Sequence, residues 1–307
     1  MRVIDINTLI GYGKRNYAKM KQLSGDLEWE YCHVAFSDLK GKELTQEAVD
    51  RLCLQLEAYL AIWGMFRNSF LRDYCHKVHE AAIRELYDSK WEELWDIDYL
   101  NMDVEKAGLI EELSKKLSKI YKPYLKPGAT KLTDTLVTKI LLGTLACIPA
   151  FDQYFVSAMK ICNGKAAFDE TSIMELAELY VSYSDEFCAL KAFCGAAHDY
   201  PSAKLIDMCF IEYGQVVDAV REKARGVLSE CNSDFNARTT VGRKMLALLT
   251  LYAIHRKEPS VVSAILTEFA DVYAEDRTFY DERSEKIWKY VKEGRLTEDN
   301  EKNELQA

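Results

Sequence analysis

Glycine and proline are scarce in this 307-residue chain, 14 and 5 respectively, too few for a protein built on β-turns and hairpins. No stretch approaches the run of about 20 apolar residues that a membrane span needs. The N-terminus, MRVIDINTLIGYGKRNYAKMK, lacks the apolar core of a signal peptide. Paired cysteines are missing too: nine Cys are strung singly from Cys32 to Cys231, with no CxxC. An odd number set mostly in apolar helical runs argues against a disulfide framework and for reduced thiols in a cytoplasmic protein. GxGxxG, Walker A, HExxH and GxSxG patterns are all absent, which sets aside several large enzyme classes. Positive charge is short overall, and the net charge of −9 argues mildly against a nucleic-acid partner.

What is present is helical pattern. Hydrophobic residues make up 49% and charged residues 29%, the balance of a globular chain with a substantial core. Helices are expected at 7–23, at 46–66 behind the TQEA capping pattern at Thr45, at 70–88, and at 105–121 with Leu109, Leu113 and Leu117 in one stripe. Others are expected on either side of Pro149 and at 169–187, 201–231, 239–256, 259–275 and 279–293. The segment 27–36 alternates weakly and reads as strand, extended chain or short helix; 90–104 reads as irregular. The expectation is an all-α, multi-helix globular fold. Residues 1–231 form the main domain, 232–295 three helices packed on the same body, and 296–307 a disordered polar tail.

The chemistry gathers at Val137–Phe155, VTKILLGTLACIPAFDQYF. Pro149 disfavours helix at Ile148 and fits a first helical turn, so Asp152 opens a new helix, where N–H groups and the macrodipole favour negative charge. A helix-capping aspartate accounts equally well for that placement. Seven lysines between Lys115 and Lys139, with Asp134 the one acid among them, form either a solvated face or a phosphate grip. Gly64, read as lying inside a helix, brings Trp63, Arg67 and Asn68 to a pocket wall or a close helix contact. Cys75, His76 and His79 form a local group without the second cluster that a metal site needs, so none is expected. Arg72 and His79 share the Arg-x6-His spacing of HEPN-type ribonucleases. Asp207, in KLIDMCFIEYG, must be a hydrogen-bonded fixture or a second catalytic group.

KILLGTLACIPAFDQYF resembles the catalytic-aspartate segment of the helix-hairpin-helix DNA glycosylase superfamily, in which Val or Ile followed by Pro precedes the Asp that opens a helix. The likeness covers about twenty residues. It implies that Asp152 is the catalytic carboxylate of a glycosylase serving repair or defence against modified foreign DNA, without metal or cofactor. The partner is then double-stranded DNA with one base flipped out. Trp63, Arg67, Asn68, Phe151, Gln153 and Tyr154 fall to base binding. Lys122, Lys126, Gly128, Lys131 and Lys139 fall to the DNA backbone. The family's glycine-rich hairpin is reduced here to LKPGATKLTDTL, with Gly128 alone. Its lysine nucleophile, about five turns before the aspartate, falls on Asp134 between Lys131 and Lys139, so a monofunctional enzyme is implied. The alternative is a non-catalytic helical interaction or regulatory protein.

Overall fold

The computed structural model describes residues 5–24, 28–195, 199–231, 237–238 and 240–255; its regular structure is helical, with no strand among the described residues. Contacts divide the chain into two compact units, Met1–Glu212 and Tyr213–Ala307. Among the described residues no helix is long and apolar enough to cross a membrane.

The first unit is built around α6 (Asp134–Gly143). Thr133 starts it by accepting the Leu136 N–H at 3.2 Å, and every residue from Leu136 to Gly143 is buried. A helix enclosed on all sides is the centre of a core. Around it pack α2 (Glu28–Ser37), α3 (Gln46–Ile62) and α5 (Val104–Tyr121). At Gly143 a Cβ would run into the Tyr59 ring, so glycine is what lets α3 approach. The unit also holds α1 (Ile6–Ser24), α4 (Glu80–Leu86), α7 (Gln153–Ile161), α8 (Glu170–Ser182) and α9 (Ser184–Cys194), with α1 packed on α9, α4 on α3 and α5, and α8 on α5.

Local chemistry sets the helix ends. Thr45 Oγ1 accepts the Ala48 N–H at 3.2 Å, as the TQEA pattern implies. α3 stops at Trp63 because Gly64 turns left-handed, with φ +73°. The Gly64 N–H donates to Ala61 O and the Met65 N–H to Leu60 O, both at 2.9 Å, the bonding of a Schellman ending. Gly64 therefore closes the helix, where the sequence suggested an interior position. α5 is capped by Asp103, which accepts the Lys106 N–H at 2.8 Å. Its buried stripe runs through Ala107, Ile110, Leu113 and Leu117, so Ile110 takes the place expected for Leu109.

Other elements depart from expectation for physical reasons. The segment left open between strand and helix is α2, because Trp29, Cys32 and Phe36 make one buried face at helical spacing. Residues 70–88 wind as two 3-10 turns, Phe70–Asp73 and His76–His79, before α4 begins. The stretch 90–104 is ordered as 3-10 turns rather than irregular, with Asp88 and Asp98 accepting the Lys90 and Leu100 N–H groups at 2.9 and 3.1 Å. Tyr183, at φ −129° and ψ 36°, breaks the expected helix 169–187 into α8 and α9.

α10 (Ser202–Cys231) and α11 (Thr240–His255) follow. In the second unit Tyr213 Oη lies 3.3 Å from His255 Nε2. The helices expected at 259–275 and 279–293, and the tail 296–307, lie outside the described residues.

Candidate functional site

Between α6 and α7 the chain reverses through residues 144–151, all of them buried. Ala146 takes a left-handed φ of +51° there and donates its N–H to Leu141 O at 2.8 Å. That conformation costs an L-residue about 1–2 kcal/mol, so neighbouring contacts must enforce it. They are numerous. Trp29 Nε1–H donates to Leu142 O at 2.8 Å, and His33 Nδ1 lies 2.7 Å from Thr144 O. The Ala150 N–H donates to Asp207 Oδ1 at 3.1 Å and the Phe151 N–H to Thr138 Oγ1 at 2.8 Å. Thr135 Oγ1 returns a bond to Phe151 O at 3.0 Å. Buried loop backbone has to be satisfied in this way, since no ladder is at hand.

The product of that rigid turn is the position of Asp152. Its Oδ1 accepts the N–H groups of Tyr154 and Phe155, both at 3.0 Å, and so caps α7. Its Oδ2 faces Lys139 Nζ at 3.0 Å. Lys139 is 1% exposed and its carboxylate partner 13%, so the pair lies just beneath the surface. The approach is off the hydrogen-bonding directions, which leaves the buried Nζ without an aligned acceptor. Above it lies Trp63, with the ring centroid 4.0 Å from Nζ, a cation–π distance.

A second buried pair stands beside the first. Lys204 Nζ donates to Asp207 Oδ2 at 3.0 Å, with side chains 5% and 1% exposed. Lys204 Nζ also lies 5.4 Å from the Trp29 ring centroid and 5.7 Å from that of Trp63. Trp63 thus has an ammonium from each pair near its ring. Tyr59 completes the cluster: its ring centroid is 6.4 Å from that of Trp63, and its buried hydroxyl has no partner. Burial first, and then the charges of Asp207, Cys32 and Asp152, push this phenol well above its ordinary pKa, so it remains a donor.

The sequence-derived candidates separate clearly. Asp152 and Trp63 meet around Lys139. Lys139 is a correction: grouped with the backbone-gripping lysines, it is instead enclosed and paired, because α6 is buried on every side. Phe151 is a second correction. It is 3% exposed and packs on Phe155 and Phe168, with centroids at 4.9 and 5.5 Å, so it belongs to the core rather than a pocket lining.

Lys122, Lys126, Gly128 and Lys131 are exposed on one loop, and Lys126 Nζ donates to Asn68 O at 3.2 Å, tying that loop to the Trp63 turn. Arg67, Asn68 and Gln153 are exposed and Tyr154 is half-buried. Arg72 is exposed while His79 is sealed against Tyr121, with Nδ1 2.7 Å from Oη, so no paired phosphate site forms there. Among the described residues no three His, Cys, Asp or Glu side chains converge as a metal ion would require.

Sequence reasoning missed Lys204, Tyr59 and Trp29 as members of the cluster. The readable signal for Lys204 was its i,i+3 spacing to Asp207 within an otherwise apolar run. Comparison of the chain with protein-family models, with curated proteins and with solved structures finds no match in any of the three.

Proposed function

We propose that this chain is a monofunctional DNA N-glycosylase of helix-hairpin-helix-like build, with Asp152 as its carboxylate. The observation that carries the reading is the Lys139–Asp152 pair at the N-terminus of α7, held on an over-determined turn beneath an aromatic ring. In the reaction the bond from sugar C1′ to the base breaks, and its electrons leave with the base, which gains a proton. The cationic sugar is stabilised by a fixed negative charge, and water then adds to C1′ and releases a proton. Asp152 suits that task because its geometry is set before substrate arrives. Lys139 balances its charge from beneath at 3.0 Å, and because that ammonium is enclosed in the fold, water is the nucleophile. The exposed lysines 122, 126 and 131 supply phosphate contacts next to the Trp63 turn.

The test is release of free base from a panel of damaged and modified duplexes, read by mass spectrometry. Asp152→Asn should lower turnover by about 10²-fold or more. It also strands a buried ammonium, which costs a fold about 3–5 kcal/mol. The double variant Asp152→Asn with Lys139→Gln therefore serves as the folded control, and it should remain inactive. Turnover that persists in the double variant overturns the role of Asp152. No release from any duplex, together with no DNA binding, overturns the class. The non-catalytic reading draws on one observation, that Asp152 Oδ1 already spends both its bonds on capping α7, and the same experiment decides it.

A further inference from the structure

A cleft of about 470 Å³ opens in the first unit between α2, the segment 95–98, α8, α9 and the start of α10. That size suits a small molecule, and Asp152, Lys139 and Trp63 take no part in its lining. Its floor is apolar, made by the buried side chains of Ile97, Leu145 and Tyr180. Its rim is acidic: Asp38, Asp98 and Asp199 all line it and all face solvent. They come from three separate segments, after α2, before the turn Tyr99–Asn101 and before α10. Among the described residues that line the cleft, the one ammonium is Lys191 Nζ, paired with Asp199 Oδ1 at 2.5 Å. His33 adds an acceptor. Its Nδ1 lies 2.7 Å from Thr144 O, and a carbonyl only accepts, so Nδ1 carries the hydrogen. Burial lowers the pKa of this imidazole more than the Thr144 carbonyl and Asp199 raise it. The ring is therefore neutral, and Nε2 presents a lone pair beside the Ser37 hydroxyl, 3.4 Å away.

We propose that this cleft binds a linear aliphatic amine carrying two or more ammonium groups, a polyamine in chemical class. The rim calls for positive charge, because a cleft lined by one sign concentrates the opposite ion. The spacing of that charge calls for a chain. No three His, Cys, Asp or Glu side chains among the described residues converge on one point, so a metal ion is poorly held. A chain can set separate ammonium groups against separate carboxylates, with its methylenes over Ile97, Leu145 and Tyr180. The acceptors select further. Carboxylate oxygens and His33 Nε2 take hydrogen bonds from N–H groups, which primary and secondary ammonium ions carry and quaternary ones lack. Glu30 also lines the cleft but is buried, held by the Tyr200 hydroxyl and Lys21, so it adds field and not a contact. The site is independent of the glycosylase reading. Its acidic rim repels phosphate, so the ligand is a free amine and not part of a duplex.

Isothermal titration calorimetry on the full chain tests this, with spermidine, magnesium ion and tetramethylammonium as probes at one ionic strength. Spermidine should bind saturably, and the other two at least about tenfold more weakly. Asp38→Asn combined with Asp98→Asn should weaken spermidine about fivefold or more, since two exposed charge contacts are lost. Asparagine still accepts the Leu100 N–H that Asp98 now holds, so the fold persists. Glu43→Gln combined with Glu47→Gln removes the same charge from exposed positions outside the cleft. That variant should leave affinity within about twofold of the native chain. Lys191→Gln should tighten binding by up to about fivefold, because it frees Asp199 for the ligand. Equal binding of magnesium, or an equal loss in the Glu43 and Glu47 variant, means diffuse attraction to an acidic protein and overturns the proposal. Equal or tighter binding of tetramethylammonium overturns it too, as does weakening in Lys191→Gln or no binding of spermidine.

Discussion

At the scale of single residues, a polar atom in this protein is defined by whether burial leaves it a partner. Asp152 was legible in the sequence because a proline three positions earlier marks a helix start. Its partner Lys139 was not, because the twelve intervening residues of apolar helix and turn carry no hint of which face points inward. His79 shows the same logic with a measurable consequence. Burial, and secondarily His76, depress its pKa from 6.5 to about 4. The folded chain therefore keeps this imidazole neutral, whereas the unfolded chain takes up a proton below 6.5. The resulting stability is fully present above pH 6.5 and is lost as pH falls from 6.5 towards 4, at most about 3 kcal/mol in all. Urea midpoints measured across that window should fall more steeply in the native chain than in His79→Gln. Parallel curves would show that His79 titrates normally in the fold.

At the scale of elements, the sequence was read best where one pattern acts alone. The helices 105–121 and 201–231 and the cap at Thr45 came through within a residue or two. Reading failed where local and tertiary terms compete: α2 hid behind a weak alternation, and Tyr183 split a continuous helical pattern with no glycine or proline to mark it. Gly64 was misplaced for a related reason, since a glycine inside a pattern and one ending it look alike until the bonds to Leu60 and Ala61 are seen. The distinction can be tested against Gly108, inside α5 with open space where a Cβ would stand. Gly108→Ala should stabilise by about 0.5–1 kcal/mol. Gly64→Ala should destabilise by about 1–2 kcal/mol, because its φ of +73° strains any L-residue although nothing crowds the added methyl. Chemical denaturation of the two variants side by side reads the opposite signs.

At the scale of the whole molecule, a net charge of −9 coexists with a loop whose lysines 122, 126 and 131 all face solvent. If that loop holds DNA, log affinity falls with log salt by about 0.9 per phosphate neutralised. Replacing the three lysines by glutamine should then flatten the slope by up to about 2.7 and weaken binding to all sequences alike. Thermal stability should barely move, since exposed charges contribute little to folding. A slope that stays put in a binding-competent triple variant would move the DNA to another face.

The buried turn before Asp152 carries one more consequence, in the time domain. Two successive amides, Ala150 and Phe151, are each tethered by a single side chain from a different helix, Asp207 on α10 and Thr138 on α6. Neither proton can exchange for deuterium until its own tether opens. Neighbouring protons in one turn therefore clock two separate motions. Comparing their rates tells whether α6 or α10 lets go first when the platform beneath the carboxylate breathes.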